Sequence, residues 1–209
     1  MELQLPLVVT FLLLLGVALF WTAAYVLVIY RGFKDQFCGM PLACICANIT
    51  WEFLLTFIMP FHPLQQIVTL IWFLLDCVIL LQYFMYVKAP YSKRLIYASV
   101  AGLLVISFLL HYGSAIEFDD EMGIYSAFFI NLLMSILFIK LLLAKELQGQ
   151  SLSIAYFKMI GTLCASVICF ALDPQSVLLM IMYVLIFILD ILYILLVYRR
   201  TVSTVLKPA

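Results

Sequence analysis

The sequence predicts an all-α membrane protein built as a bundle of seven transmembrane helices. Of its 209 residues, 67% are hydrophobic and only 11% are charged, whereas a soluble domain has about 25% charged residues. The mean hydropathy is +1.23. Seven apolar stretches each reach the roughly 20 residues that cross a bilayer. These stretches are continuous and do not alternate in polarity, which argues against a membrane β-barrel.

The seven predicted spans form a single bundle over residues 1–209, because the segments that connect them are short. The spans cover residues 5–30, 39–59, 64–88, 93–112, 122–144, 151–172 and 175–198. Asp173-Pro174 is predicted to end the sixth span, and Ser176 is placed to cap the seventh.

The basic residues predict the orientation of the bundle. With these spans, all 11 are expected on one side of the membrane. They are Arg31, Lys34, Lys88, Lys93, Arg94, Lys140, Lys145, Lys158, Arg199, Arg200 and Lys207. The positive-inside rule then places the N-terminus outside and the C-terminus in the cytosol. The formal net charge of zero argues against nucleic-acid binding, which needs a basic face.

Three carboxylates, Glu52, Asp76 and Asp190, lie within predicted spans. Placing a charged side chain at the bilayer centre costs roughly 2.5–3.5 kcal/mol on insertion scales, so each acid is a functional-site hypothesis. Their expected depths differ, with Glu52 in the outer half, Asp76 near the middle and Asp190 in the inner half. Asn48 lies one helical turn before Glu52, where its amide can hydrogen-bond the carboxyl group.

No basic residue is expected at mid-membrane depth, so the three acids have no predicted salt-bridge partner. Burial then favours their neutral form, and a neutral carboxylic acid in an apolar chamber is a proton donor. Function is favoured for Glu52 and Asp190. For Asp76, bracing of neighbouring helices is an equally supported alternative.

Aromatic and amide side chains near these acids are candidates for binding a substrate. Helical spacing places Tyr183 and Phe187 on the face of Asp190, and Trp72 and Tyr83 on the face of Asp76. Aromatic rings beside an acid can stabilise a developing cation, although core or lipid-facing packing is the alternative for most of them. The candidate substrate-binding residues are Asn48, Trp51, Trp72, Asp76, Tyr83, Asn131, Tyr183 and Phe187.

Four sequence motifs resemble those of a known enzyme family. They are Gly39–Leu42 followed by Asn48 and Trp51-Glu52; Trp72–Asp76; Gly149–Leu152 followed by Ala155, Lys158 and Gly161-Thr162; and Asp190–Tyr193. Together they resemble the small integral-membrane terpene cyclases of meroterpenoid and indole-terpenoid biosynthesis. That family includes the cyclases of pyripyropene, paspaline and andrastin pathways and bacterial relatives of the drimentine type. The chain is compact for the fungal members, which is compatible with a bacterial-type member and leaves the origin open between the two.

The resemblance implies proton-initiated cyclisation of a prenyl chain, with Glu52 and Asp190 as the acidic pair. Glu52 would act as, or support, the general acid that protonates a terminal epoxide or alkene. The resemblance implies no metal and no redox cofactor. The expected partners are a hydrophobic prenylated small molecule, the lipid bilayer, and an upstream prenyltransferase and epoxidase. The expected location is a plasma membrane in a bacterium or the endoplasmic reticulum in a fungus.

Two other functions are compatible with parts of the sequence. Pro174-Gln175 is similar to the motif of PQ-loop transporters, but such carriers are built from repeats and the chain shows no internal repeat. A proton-dependent isomerase of sterol-like lipids would use the same buried-acid chemistry. The base that ends the cyclisation is left open between Asp190, Asp76 and water.

Overall fold

The computed structural model describes residues 5–87 and 92–206, and the regular elements in those ranges are all helices. The helices are α1 (Leu7–Asp35), α2 (Leu42–Phe53), α3 (Pro63–Tyr86), α4 (Lys93–Glu117), α5 (Ile124–Lys145), α6 (Leu152–Leu172) and α7 (Val177–Leu206). The predicted all-α class is confirmed.

Six of these helices, α1 and α3 to α7, are long and apolar enough to cross a membrane. The seventh apolar segment, Leu42–Ile58, is shorter and consists of α2 and a π-helical turn over Leu54–Ile58. Large apolar side chains remain exposed on the outside of the bundle, among them Leu7, Leu64 and Leu110. Such a surface suits contact with lipid, and the chain is a multi-pass membrane protein.

Three helices extend beyond their predicted C-terminal ends. Helix α1 continues to Asp35 where residue 30 was predicted, α4 to Glu117 where 112 was predicted, and α7 to Leu206 where 198 was predicted. The predictions followed the apolar runs, whereas a helix continues into the interface until a backbone stop signal. In α1 that stop is Gln36, which adopts a left-handed conformation with φ of 48°.

The N-terminal ends of α3, α4, α6 and α7 are capped by side chains. Ser176 Oγ accepts a hydrogen bond from Leu179 N at 3.3 Å, which confirms the predicted cap of α7. Ser151 Oγ accepts from Ile154 N at 3.3 Å in the same way. These bonds satisfy amide groups that have no partner within the helix.

Helix α2 is the centre of the bundle. Eight of its 12 residues are buried, and it packs against α3, α4 and α5. Helix α1 packs against α6 and α3, and α7 packs against α5 and α6. Any polar side chain on α2 is therefore enclosed by protein and not by lipid.

Two of the sequence motifs meet at the end of the bundle where α2 and α6 begin. A Cβ atom on Gly39 would overlap the carbonyl oxygen of Gly149, and Gly149 has a φ of +69° that favours glycine. Gln150 Nε2 donates to the Gly39 carbonyl at 3.0 Å. The two glycine motifs thus allow two backbone segments to approach closely.

One basic residue is not where the charge pattern predicted it. Lys158 lies inside α6 with 1% of its surface exposed, so the prediction that all 11 basic residues lie at one membrane face is wrong for this residue. The physical reason is a buried counter-charge, Asp190, which replaces solvent around the ammonium group. Lys88 and Lys207 lie outside the described residues.

Candidate functional site

A cavity of about 680 Å³ lies in one half of the bundle. It is lined from α1, α2, α3, α5 and α6 at the end where α1, α3 and α5 begin. Its lining is mostly apolar, and its volume falls within the roughly 300–1,000 Å³ typical of small-molecule sites. The cavity is therefore the candidate site for a substrate.

The mouth of the cavity is formed by apolar side chains that are exposed on the outside of the bundle. Phe11 and Leu14 of α1 and Leu64 and Ile67 of α3 line the cavity, and each is at least half exposed. These positions face lipid in a membrane-embedded bundle. A hydrophobic molecule can therefore reach the cavity from the bilayer.

Glu52 is the carboxylic acid in the cavity wall, and its side chain is 1% exposed. Tyr25 donates its hydroxyl hydrogen to Glu52 Oε1 at 2.9 Å. Asn48 Nδ2 donates to the same Tyr25 oxygen at 2.8 Å. Within the described ranges, Glu52 Oε2 has no hydrogen-bond partner. One carboxyl oxygen is thus held in place by Tyr25, and the other is buried without a hydrogen bond from a described donor.

Asp76 is buried beside this group. Glu52, Tyr25 and Asn48 all lie near its carboxyl group, but among the described residues none makes a hydrogen bond of normal geometry to either oxygen. The prediction that the three acids lie apart at different depths is therefore wrong for Glu52 and Asp76, which form one cluster. The sequence missed this because Asp76 lies on a different helix from Glu52.

Aromatic residues surround the acid. Trp21, Tyr25 and Trp72 line the cavity as a continuous group, with ring centroids 6.1 Å apart for Trp21 and Tyr25 and 6.4 Å apart for Tyr25 and Trp72. Trp51 lines the same cavity and donates from Nε1 to the Gly123 carbonyl at 3.0 Å. Trp72 Nε1 also donates to Thr22 Oγ1 at 3.0 Å, so hydrogen bonds and ring contacts position the wall around Glu52.

Asp190 lies in a different environment. Its Oδ1 atom is 2.7 Å from Lys158 Nζ and accepts a hydrogen bond from Ser135 Oγ at 2.7 Å. The prediction that Asp190 has no basic partner is wrong, because Lys158 of the neighbouring helix reaches it in the interior. Asp190 is not one of the described residues that line the cavity.

The structure separates the other candidate residues into two groups. Asn48, Trp51, Trp72 and Asn131 line the cavity with Glu52. The remaining candidates are not among the described lining residues; they are Asp76, Tyr83, Tyr183 and Phe187. Tyr183 packs behind the wall against Phe128 at a centroid distance of 4.6 Å, and Phe187 is 43% exposed on the outside of α7. Helical spacing predicted that Tyr183 and Phe187 share a face of α7, but it could not show whether that face points towards the cavity.

The sequence analysis missed Trp21 and Tyr25, both on α1. The signal was present, because Trp21, Tyr25, Val28 and Gly32 recur at intervals of three and four residues and form the buried face of that helix. The pairing of Tyr25 with Glu52 had no local signal, since the two residues are 27 positions apart.

Comparisons with known proteins give relatives along most of the chain. Terpene cyclase macJ of Penicillium terrestre is 30% identical over 158 residues, which cover 70% of this chain and 60% of the relative. The Pyr4-family terpene cyclase mfmH of Annulohypoxylon moriforme is 29% identical over 160 residues, covering 71% and 64%. Terpene cyclase pyr4 of Aspergillus fumigatus is 34% identical over 64 residues, covering 30% and 27%. The chain thus matches less than two thirds of the length of these relatives.

No solved structure matches the chain. The sequence profile of one family, described as Pyr4-like transmembrane terpene cyclases, matches residues 3–202. This match confirms the predicted family and agrees with the bundle of apolar helices. The chain belongs to the Pyr4-like transmembrane terpene cyclases.

Proposed function

We propose that this chain catalyses the proton-initiated cyclisation of a prenyl chain, with Glu52 as the general acid. One observation carries the proposal. Glu52 lines a largely apolar cavity, one of its oxygens is held by Tyr25, and the other has no partner within the described part of the chain. A positioned acid in the wall of a site that excludes water is suited to donate a proton.

Glu52 can hold an acidic proton because it shares its buried site with Asp76. None of the ion pairs between described residues involves either acid. Two carboxyl groups that share a buried site without a cation cannot both be ionised readily. At least one proton therefore stays on the pair.

In the proposed step, the O–H bond at Glu52 Oε2 breaks. The proton passes to an epoxide oxygen as a ring C–O bond opens, or to a terminal alkene carbon as the π bond is consumed. The resulting cation is attacked by the next π bond of the prenyl chain, so carbon–carbon bonds form in sequence. The reaction ends when the final cation, or a hydroxyl group that has captured it, loses a proton to Asp76 or to water. That proton restores the acidic pair of Glu52 and Asp76. Tyr25 stabilises the Glu52 carboxylate that remains, through its hydrogen bond to Oε1.

The cavity wall suits a cationic intermediate. Trp21, Tyr25, Trp51 and Trp72 line it near Glu52, and aromatic faces attract cations. An apolar lining also limits the water that would capture the cation too early. The reaction needs no metal and no redox cofactor in this proposal.

The proposed substrate is a hydrophobic prenylated small molecule, of the farnesyl type, that reaches the cavity from the bilayer. It would be made by an upstream prenyltransferase, with an epoxidase where the reacting group is an epoxide. We further propose that all seven apolar segments cross the membrane, with the N-terminus outside and the C-terminus in the cytosol. The cavity then opens in the outer half of the membrane.

The replacement Glu52→Gln tests the proposal, because it keeps the shape of the side chain and removes the acidic proton. Membranes containing the variant would be incubated with farnesylated and epoxyfarnesylated aromatics, and isomeric cyclised products would be measured by mass spectrometry. We expect product formation to fall by about 10²–10⁴-fold, the usual contribution of a general acid. The matched control is Glu117→Gln, which removes an exposed carboxyl group at the same end of the bundle. Undiminished cyclisation by Glu52→Gln would show that another group starts the reaction.

A further inference from the structure

Most polar groups in the cavity wall already have a hydrogen-bond partner within the protein. They belong to Tyr25, Asn48, Trp51, Glu52, Trp72 and Asn131. Gln65 lines the mouth of the same cavity, near the start of α3, and is half-buried. Within residues 5–87 and 92–206 its side-chain amide has no hydrogen-bond partner, and only its main-chain carbonyl accepts from a side chain, Thr69 Oγ1 at 2.9 Å. Gln65 therefore presents a donor and an acceptor that a ligand can use.

His62 immediately precedes α3 and lines the same part of the cavity. Its Nδ1 atom accepts a hydrogen bond from Leu64 N at 3.2 Å. In the neutral ring the hydrogen is therefore on Nε2, which becomes a donor. Among the described residues, Nε2 has no partner. Together, His62 and Gln65 suit a carbonyl or hydroxyl oxygen at the mouth of the cavity.

The charges at this end of the bundle favour an uncharged group over a phosphate. The described residues that line the cavity include no Lys and no Arg, the side chains on which phosphate recognition relies. The connection from α4 to α5 leads to Met122 in the cavity wall. That segment carries Glu117, Asp119, Asp120 and Glu121. A diphosphate at the mouth would therefore meet negative charge without a compensating cation.

The distance from Gln65 to Glu52 matches the length of a prenyl chain. Trp72 and Asp76 follow Gln65 by seven and 11 residues on α3, so they lie about 10 and about 17 Å further along the helix. Glu52 lies at these levels, because Tyr25, which bonds its carboxyl group, packs beside Trp72. The Asp76 carboxyl group also lies near that of Glu52. An extended chain advances about 1.2 Å per bond, so a farnesyl group of roughly ten bonds spans about 12 Å, and a geranyl group of roughly six bonds spans about 7 Å.

We propose that His62 and Gln65 form a head-group subsite, which binds the uncharged, oxygen-bearing end of the substrate while the prenyl chain runs inward along α3 to Glu52. This inference rests on the proposed function for the reacting end of the chain, whereas the head-group subsite itself is a binding property. The substrate is then a farnesyl chain attached to a group with a hydroxyl or carbonyl oxygen, and a free prenyl diphosphate is excluded.

Binding of unreactive probes tests the head-group subsite without any need for catalysis. Trp21, Trp51 and Trp72 are the 3 tryptophans of the chain, and all line the cavity, so intrinsic fluorescence reports its occupancy. The probes are hexahydrofarnesyl cyclohexanone and hexahydrofarnesyl cyclohexane, which lack alkenes and epoxides and differ by one oxygen. We expect the original protein to bind the ketone about tenfold more tightly, the size of one hydrogen bond. Hexahydrofarnesyl diphosphate should bind more weakly than the ketone.

Two variants at the mouth should remove this preference. Gln65→Leu should raise the Kd of the ketone about tenfold and leave the Kd of the hydrocarbon unchanged. His62→Asn retains a side chain that can cap Leu64 N but removes the Nε2 donor, and it should act in the same direction. Each comparison uses one probe with two proteins, so partition of the probe into detergent cancels.

The matched control is Gln175→Leu, at an exposed glutamine in the connection from α6 to α7 at the same end of the bundle. It should leave the Kd of both probes unchanged. Equal effects of Gln65→Leu on the ketone and on the hydrocarbon would overturn the head-group subsite, because no oxygen would be recognised there. Tighter binding of the diphosphate than of the ketone would overturn the uncharged head group.

A second experiment moves the amide along α3. The double variant Gln65→Leu with Val68→Gln places an amide at another lining residue, about 4.5 Å closer to the level of Glu52. That shift is close to one isoprene unit, whose roughly four bonds span about 5 Å. Relative to Gln65→Leu alone, kcat/KM for an epoxygeranylated cyclohexanone over its epoxyfarnesylated counterpart should rise about tenfold. An unchanged ratio in a variant of normal thermal stability would refute the inward orientation of the chain.

The failure of this inference is distinguishable from that of the proposed function. If Glu52→Gln remained active, the proposed function would fail, while the unreactive probes would still decide whether the head-group subsite exists. If Glu52→Gln were inactive and Gln65→Leu bound the ketone normally, the head-group subsite alone would fail.

Discussion

Replacing Tyr25 by Phe removes the hydroxyl that holds the proposed acid. That hydroxyl donates to Glu52 Oε1 at 2.9 Å and accepts from Asn48 Nδ2 at 2.8 Å. The ring of Tyr25 is retained, so the packing against Trp21 and Trp72 should persist. The variant therefore isolates the contribution of one hydrogen-bonding group to proton transfer.

The size of the effect follows from the change in charge on Glu52. A hydrogen bond to a neutral group contributes about 0.5–1.5 kcal/mol and one to a charged group about 1.5–3 kcal/mol. As Glu52 loses its proton, its bond from Tyr25 should therefore strengthen by about 1–1.5 kcal/mol. Since about 1.4 kcal/mol corresponds to a factor of ten in rate, Tyr25→Phe should lower kcat by about tenfold. KM should change little, because the bond is weaker before proton transfer.

The assay is steady-state cyclisation of an epoxyfarnesylated aromatic in detergent or proteoliposomes, with thermal unfolding of the same samples. Tyr25→Phe should also lower the free energy of unfolding by about 1–3 kcal/mol, because the buried Asn48 Nδ2 group loses the hydroxyl oxygen to which it donates. The matched control is Tyr193→Phe. Tyr193 is fully buried and donates to Gln150 Oε1 near the opposite end of the bundle, so its loss should lower stability and leave kcat unchanged.

Two results would refute this reasoning. If Tyr25→Phe keeps the original kcat once the folded fraction is equalised, the hydrogen bond to Glu52 does not act on proton transfer. If it loses as much activity as Glu52→Gln, then Tyr25 itself is the proton source.

Two further predictions concern packing and cavity size. Gly39→Ala should prevent accumulation of folded protein in size-exclusion and thermal-shift assays, because its Cβ would overlap the backbone of Gly149. The control Gly102→Ala should be neutral or stabilising by up to about 1 kcal/mol, because no described atom outside the backbone of its own helix lies within 4 Å of the added Cβ. Equal stability of the two variants would contradict the close approach. Ala127→Trp fills part of the cavity and should raise KM about tenfold or more for a farnesylated probe, and less for a geranylated one. If the ratio of the two KM values does not change, the prenyl group binds elsewhere.

Much of the fold was predictable because its signals are local. Each apolar run contains the information for one helix, and Ser176 caps α7 as its sequence position predicts. The importance of α2 was also readable, since Asn48 and Glu52 lie one turn apart on an apolar segment. The helix ends were less accurate because α1 and α7 continue past their apolar runs into polar residues.

The site was only partly predictable, because its contacts join distant parts of the chain. Tyr25 and Glu52 are 27 residues apart, and Gln150 and Gly39 are 111 residues apart. No periodicity within one helix shows which face of another helix it meets. Tyr183 and Phe187 share a helical face with Asp190 in the sequence, yet they lie behind the cavity wall and on the outside of α7.

The sequence by itself determined that this protein is a helical membrane bundle with carboxylic acids inside it, because hydropathy is a property of each segment alone. Glu52 and Asp190 look alike at that level, since each is a carboxylic acid in an apolar run. Only the tertiary structure decided that Glu52 faces a cavity while Asp190 is paired with Lys158, which lies 32 residues away in the sequence. The physical reason is that the environment of a buried charge is set by the neighbouring helices and not by its own.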